Sequence, residues 1–275
     1  LRHLDPSQKT TIHILSQTFS QQSLGILQGL IDTSGKPVDC EIRPIELDCF
    51  EKINTRNLKE LAQELPLETY GRLLIPSLFP DINFGVYLDS DVLVQKDLSQ
   101  VFQYRSDQHP IWVVDDMTIT SLSHPDEFLD CEALGVDPDA PYFNTGVMVF
   151  NLNLWERDTL LEKCQEIGSK SKLRWADQSL LNVIFTGRWQ KLESSWNNMI
   201  TPEYREYAFP KPDNNYHCVG GSKPWHFPAT MTMGVLSQCQ DILREAARYG
   251  TIPSHVKRKP YLIFFLKTLL TGKMR

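Results

Sequence analysis

The 275-residue sequence predicts an α/β fold with a mixed, mainly parallel sheet flanked by helices. Three observations carry this. The chain opens on strand, helix and strand patterns in series, and such alternation builds parallel sheet. The continuous apolar run Phe84-Gly85-Val86-Tyr87-Leu88 reads as a strand buried on both faces. Carboxylates then follow strand-like runs at their carboxyl ends, Asp89 and Asp91 first and Asp115 and Asp116 later, where open α/β sheets bind ligands.

The elements follow in order. Thr10 to Leu15 reads as a strand. Ser20 to Asp32 carries Leu24, Ile26, Leu27, Leu30 and Ile31 at helical spacing, with Ser20 as N-cap and Gly35 just past the end. Cys40 to Leu47 reads as the next strand. Leu67 to Leu78 predicts a helix ending before Pro80, with Tyr70, Leu73, Leu74 and Leu78 packed inward. Arg72, among them, belongs either to a solvated face or to a site. Asp97 to Gln103 predicts a short helix and Pro110 to Val114 a strand. One of Asp115 and Asp116 faces a cleft, unless the two merely cap a turn.

Pro125 to Leu134 predicts a helix closed by Gly135. In Pro141 to Asn151 the polar Asn144-Thr145-Gly146 interrupts a buried strand, as a bulge or a close backbone approach beside a ligand requires. Leu154 to Ile167 and Trp175 to Asn182 predict helices. Asp177 suits the exposed N–H groups of a helix start, so Asp177-Gln178 is either an ordinary start or part of a site.

Composition narrows the function. Hydrophobic residues at 41% and charged residues at 23% are ordinary for a globular protein. A net charge of -6 argues against a general nucleic-acid binder. The cysteines, Cys40, Cys49, Cys131, Cys164, Cys218 and Cys239, form no Cys-x-x-Cys pair and are expected as reduced thiols of a cytosolic protein. Leu1 to Pro6 is not expected to act as a signal peptide, since it lacks an apolar segment. No stretch is long and apolar enough to span a bilayer.

On extended backbone Asp89 and Asp91 point the same way and Ser90 the other. Two hard oxygen ligands on one side suit Mg²⁺ or Mn²⁺, with phosphate oxygens completing the shell; an acidic turn ending a strand is the alternative. His217 lies in a Gly-rich loop with Lys223. It is either a third ligand or a structural histidine, and Gly220 and Gly221 leave room for phosphate.

The strings Tyr87-Leu88-Asp89-Ser90-Asp91, Phe143-Asn144-Thr145-Gly146, Asp177-Gln178 to Asn182, and His217-x-x-Gly220-x-x-Lys223-Pro224-Trp225 occur in this order, led by Thr69-Tyr70-Gly71-Arg72-Leu73. On them the chain resembles glycosyltransferase family 8, and within it the bacterial lipopolysaccharide galactosyl- and glucosyltransferases, from about Thr10 to about Trp225. The resemblance implies the GT-A fold (a Rossmann-like fold of nucleotide-diphospho-sugar transferases) and transfer of a hexose from a UDP-sugar with retention. It implies Mn²⁺, or Mg²⁺ in its place, on Asp89, Asp91 and His217. The diphosphate would meet Gly220 and Lys223, and Arg72, Ser90, Asn144 and Thr145 would bind the donor. Asp116, Asp177 and Gln178 would serve the reacting sugar, Gln178 on the face opposite UDP. Glutamine is a poor nucleophile, which favours same-face attack over a covalent intermediate.

Two departures stand out. The family often has a second acid in Asp-Gln-Asp; that position is Ser179 here. Thr10 to Leu15 matches the family's second strand and nothing before it matches the first, so the chain is expected to lack a strand that contributes to the nucleoside pocket. The acceptor is expected to be lipopolysaccharide or another surface glycan or glycolipid, modified at the cytoplasmic face of the cell membrane. Residues 1–235 are expected as the catalytic domain and 236–275 as a helical tail. The basic, aromatic stretch Lys257 to Arg275 suits a membrane interface, or else a helix packed on the core. A non-catalytic GT-A relative that binds a glycan or a protein is the alternative reading. A metal-dependent nucleotidyltransferase fits the Phe143-Asn144-Thr145-Gly146 and His217 to Trp225 motifs less well.

Overall fold

The computed structural model describes residues 3–7, 9–50, 53, 67–201, 213–220, 223 and 233–250. The opening unit follows the sequence closely. Strand β1, Thr10–Ser16, leads into a helix, Gln21–Ser34, whose first turn is capped by the Ser20 hydroxyl accepting from Ser23 N at 3.0 Å. Gly35 closes it at φ 64°, in the left-handed region that glycine enters without strain. Strand β2, Val38–Pro44, pairs in parallel with β1. It starts at Val38 rather than Cys40 because Thr10 N–H bonds Pro37 O and draws Val38 into register.

The remaining strands are β3 (Phe84–Leu88), β4 (Val92–Leu93), β5 (Ile111–Asp115), β6 (Phe143–Asn151), β7 (Gln190–Lys191), β8 (Asn198–Ile200) and β9 (Tyr216–Cys218). One sheet runs β3-β6-β5-β7 and a smaller one β4-β9-β8. Strand β6 pairs antiparallel with both neighbours, while β5–β7 and β8–β9 are parallel. The parallel expectation drawn from the opening unit thus holds for that unit, and the sheet around β6 is mixed.

The burial expected of β3 is found in β6 instead. Every residue of β6 is buried, whereas β3 is half-buried throughout. Among the described residues β3 pairs only with β6 and β1 only with β2, and both line one cleft along their other sides. Strand β6 divides the core. Phe143, Met148 and Phe150 pack on one side with Tyr70, Leu73, Leu180 and Phe185, and Val147 and Val149 pack on the other with Trp112, Leu192 and Trp196. Alternation separates Val147 and Val149 from Met148 and Phe150, and Phe143 joins the latter pair across the register shift between β5 and β6.

Several helices are shorter than expected. Leu67 to Leu78 is a 3₁₀ segment, Leu67–Leu74, followed by one α-turn, Ile75–Leu78. Pro76 has no N–H to give Arg72 C=O, so an α-ladder cannot run across it. The 3₁₀ segment Leu98–Tyr104 is capped by Asp97. Pro125 to Leu134 shrinks to Cys131–Leu134, capped by Asp130 and closed by Gly135. Upstream of it Glu127 turns fully inward and Phe128 takes φ 59°, which a helix does not allow. The next helix starts at Leu160, after a 3₁₀ turn at Leu152–Leu154, and Asp177–Ile184 forms as expected.

Helix Met233–Ala246 runs across residue 235. Just beyond it Tyr249 lies against the first helix, its hydroxyl 2.6 Å from Thr33 Oγ1. All six cysteines are free thiols. Among the described residues no helix is long and apolar enough to cross a membrane. The tail Lys257 to Arg275, and Gly221, Pro224 and Trp225, lie outside the described residues.

Candidate active site

Strand β3 delivers Asp89 to the end of the sheet, where its N–H bonds Gly146 O at 2.8 Å. Three residues on, β4 pairs with β9 in the register Val92↔His217, which sets the imidazole opposite the carboxylate pair. The ligand atoms of Asp89, Asp91 and His217 all lie within 4.8 Å of one another. His217 Nε2 is 3.3 Å from Asp91 Oδ1 and 3.7 Å from Asp89 Oδ2.

This cluster fits a divalent cation. His217 Nδ1 lies 3.0 Å from Asn197 Oδ1, an acceptor, so Nδ1 keeps its proton there and Nε2 is the nitrogen turned to the carboxylates, where a bound cation would take the place of its proton. Asn197 Nδ2 in turn donates to Asn144 Oδ1 at 2.9 Å. Beyond the His217 Nε2 contact at 3.3 Å, Asp91 Oδ1 is buried without a hydrogen-bond partner, a need that a cation meets. Burial opposes ionisation of Asp91, yet His217 and Lys223 hold its carboxyl down to about 2. Two carboxylates and one imidazole suit Mn²⁺ or Mg²⁺ rather than a thiolate-seeking metal. Gly146 is required beside them, because a Cβ there would overlap the His217 ring. Lys223 Nζ reaches Asp91 Oδ2, and Cys218 O at 2.7 Å.

Arg72 is not on a solvated face. Its guanidinium is buried and donates to Thr145 O and Oγ1, each at 2.8 Å, and to Asp89 Oδ1 at 2.8 Å. Its Nε is 2.8 Å from Asp177 Oδ2. Burial works against the charge of Arg72, but Asp177 and Asp89 outweigh it and keep its proton bound. Burial pushes the Asp177 carboxyl up to about 6, with Arg72 pulling the other way. Tyr87 OH donates to Asp89 Oδ1 at 2.7 Å, leaving Oδ2 towards His217.

Of the second carboxylate pair, Asp116 faces the cleft and Asp115 pairs with Lys191. Asp116 also caps its turn: Oδ1 accepts from Thr118 N and Ile119 N, while Oδ2 accepts from Asn144 Nδ2 at 3.1 Å and Gln178 Nε2 at 3.3 Å. Gln178 Oε1 accepts from Thr145 N at 3.1 Å and Asn144 Nδ2 at 3.2 Å. Asn144-Thr145-Gly146 interrupts β6 with polar groups because each of the three meets a site residue.

One cleft of about 1620 Å³ is lined by Arg72, Asp89, Ser90, Asp91, Asp116, Asn144, Thr145, Asp177, Gln178, His217, Gly220 and Lys223. Ser90 is exposed at its rim and Gly220 turns there at φ 81°. The family model for glycosyl transferase family 8 matches residues 3–229. The chain belongs to glycosyltransferase family 8.

Its relatives agree. The chain is 27% identical over 206 residues to general stress protein A of Bacillus subtilis, covering 66% of this chain and 67% of that protein. It is 30% identical over 192 residues to a lipopolysaccharide 1,2-glucosyltransferase of Escherichia coli, covering 63% of this chain but only 55% of that enzyme. The solved galactosyltransferase LgtC, in complex with donor and acceptor sugar analogs, superposes with a TM-score of 0.66 at 20% identity, over 90% of this chain and 88% of its own. The fold is GT-A.

Around this candidate site stand residues to which the sequence patterns gave no role. Asn197 orients His217 and Tyr87 steadies Asp89. Tyr87 was within reach, since it alternates onto the side of Asp89 along the strand. Asn197 had no signal, because only the pairing of β8 with β9 brings it to His217. Glu127 is fully buried and accepts from Tyr142 OH and Ser179 Oγ, both at 2.6 Å. Burial pushes its carboxyl up to about 7 against those donors.

Proposed function

We propose that this glycosyltransferase moves a hexose, galactose or glucose, from a UDP-sugar to a glycan acceptor with retention at the anomeric carbon, and that it depends on Mn²⁺. The observation that carries the reading is that Asp89, Asp91 and His217 share one cleft with the Arg72–Asp177 pair and the Asp116–Gln178 pair. A divalent ion on the first three residues, when bound, neutralises diphosphate charge and makes UDP a better leaving group.

The other roles belong to the chain's own groups. Lys223 Nζ and the backbone at Gly220 meet diphosphate oxygens as charge grows on them, and losing one such contact raises the barrier by about 3 kcal/mol. Arg72, Ser90, Asn144 and Thr145 bind the donor. Asp177 and the Gln178 carbonyl face the sugar as it becomes oxocarbenium-like, Gln178 opposite the departing UDP. Asp116 orients donor and acceptor hydroxyls, and the acceptor attacks on the face that UDP leaves. The acceptor is a lipopolysaccharide or another surface glycan or glycolipid, met at the cytoplasmic face of the membrane. Residues 1–235 carry the catalysis and residues 236–275 hold the chain at that surface.

The test is incubation with UDP-galactose or UDP-glucose, with and without Mn²⁺, while NMR follows UDP release and the anomer of the freed sugar. The expected result is Mn²⁺-dependent UDP release with the donor's own anomer formed first. No UDP release from either donor would overturn the reading and move the chain to a glycan-binding relative.

A further inference from the structure

Glu127 places a carboxyl in the core, and among the described residues no cation pairs with it. The guanidinium of Arg174, whose backbone bonds Glu127, stacks instead over the rings of Phe128 and Trp175 at 5.1 and 5.4 Å. A buried carboxyl is costly unless hydrogen bonds satisfy it. Those bonds come from Tyr142 OH and Ser179 Oγ, and the Arg174 backbone adds a third.

Both hydroxyls lead to the cleft. Ser179 Oγ, while donating to Glu127, accepts from Trp175 N at 3.1 Å. Between Trp175 and Asp177 sits Ala176, buried, with φ 51° and ψ -118°. A residue with a Cβ enters that region only when its surroundings force it. The forcing bonds are visible: Trp175 N to Ser179 Oγ, Trp175 Nε1 to Asp126 O at 3.2 Å, and Gln178 N to Trp175 O at 3.0 Å. Beyond the corner, Asp177 meets Arg72 and Gln178 meets Thr145 N. The second hydroxyl belongs to Tyr142, whose C=O accepts from Asp116 N at 3.0 Å.

We propose that Glu127 is a positioning residue, which through Ser179 holds the strained corner at Ala176 and so aims Asp177 and Gln178 into the cleft. This rests on the transferase reading above for its kinetic consequence, and on geometry alone for its structural one. A carboxylate suits the task because it accepts from both hydroxyls at once, which a carboxamide does with only one of its two heteroatoms.

The test compares wild type with Glu127→Gln and Ser179→Ala. Three quantities are read: kcat and KM for UDP-sugar turnover, affinity for UDP with Mn²⁺, and hydrogen exchange of the Trp175 amide. Misaiming the reacting groups is expected to lower kcat by about 10–100-fold in both variants, with KM and UDP affinity held within about twofold. The Trp175 amide, having lost its acceptor, is expected to exchange about tenfold faster or more in Ser179→Ala. Ser179→Ala removes only the link to the corner and leaves Glu127 bonded to Tyr142, and Glu127→Asp, whose shorter carboxylate cannot reach both hydroxyls, replaces Glu127→Gln with the same expected loss of kcat and faster Trp175 exchange if that variant does not fold. Unchanged kcat, unchanged Trp175 exchange, or a loss of UDP affinity in step with kcat would each overturn the proposal. If wild type itself turns over no UDP-sugar, the transferase reading fails separately, and Trp175 exchange in Glu127→Gln, faster than wild type or equal to it, still decides the link from Glu127 to the corner.

Discussion

His217 Nδ1 lies 3.0 Å from Asn197 Oδ1, and that one contact fixes which ring nitrogen faces the carboxylates of Asp89 and Asp91. Removing the acceptor frees the ring to rotate and to change tautomer. Partners of this kind typically contribute a factor of about 10–100 in metal affinity. Asn197→Ala is therefore expected to weaken Mn²⁺ binding by about that factor, measured by metal titration. Affinity equal to wild type would remove Asn197 from the site.

Gly146 meets the same ring from the other side. A methyl there must displace the imidazole or the β6 backbone, and overpacking of this kind costs about 1–3 kcal/mol. Gly146→Ala is expected to lose that much stability in urea unfolding and to lose Mn²⁺ binding along with it. Gly135→Ala serves as the comparison: no atom would meet its Cβ, so its cost comes from φ 66° alone and leaves metal binding intact.

Arg72 joins Asp89, Thr145 and Asp177 while buried. Replacing it with Met keeps much of the bulk but leaves Asp177 without its cation. Breaking one partner out of a buried pair costs about 3–5 kcal/mol, and Arg72→Met is expected to fall by that order in denaturant unfolding. The expected rescue is Arg72→Met with Asp177→Asn, more stable than the single variant. Equal stability of wild type and Arg72→Met would contradict the pairing.

The buried acids give stability a pH dependence whose sign is fixed. The folded-state pKa of Glu127 is raised, from an ordinary 4.5 to about 7, so folding disfavours its charged form. Its cost is absent below the ordinary value, grows as pH rises, and is complete above about 7. At 1.36 kcal/mol per unit this amounts to about 3 kcal/mol. Asp177, raised to about 6, acts in the same direction over a lower window. Asp91, held down to about 2, loses stability only in strong acid. Thermal melts from pH 5 to 8 are expected to show wild type losing stability and Glu127→Gln losing less. Parallel curves would contradict the raised pKa.

Much of the architecture was legible because it is local. Ser20 and Gly35 mark the ends of a helix whatever surrounds it, and apolar runs located β1, β5 and β6. The Asp-x-Asp pair was legible from strand geometry, and His217 became persuasive only through the order of neighbouring motifs. What stayed hidden depends on partners distant in sequence. Nothing local reveals that β3 pairs only with β6 among the described residues, or that Glu127 abandons a helical pattern to meet Tyr142 and Ser179. Pro76 could have signalled the 3₁₀ segment before it, since the missing N–H is readable from the sequence.

The most direct measurement is calorimetric titration of UDP into the chain with and without Mn²⁺, repeated on Asp91→Asn. Binding that requires Mn²⁺ and disappears in Asp91→Asn is the expected result, because Asp91 Oδ1 is the buried oxygen left for the ion. UDP binding that is indifferent to Mn²⁺, or no binding in its presence, would contradict a metal–diphosphate site on Asp89, Asp91 and His217.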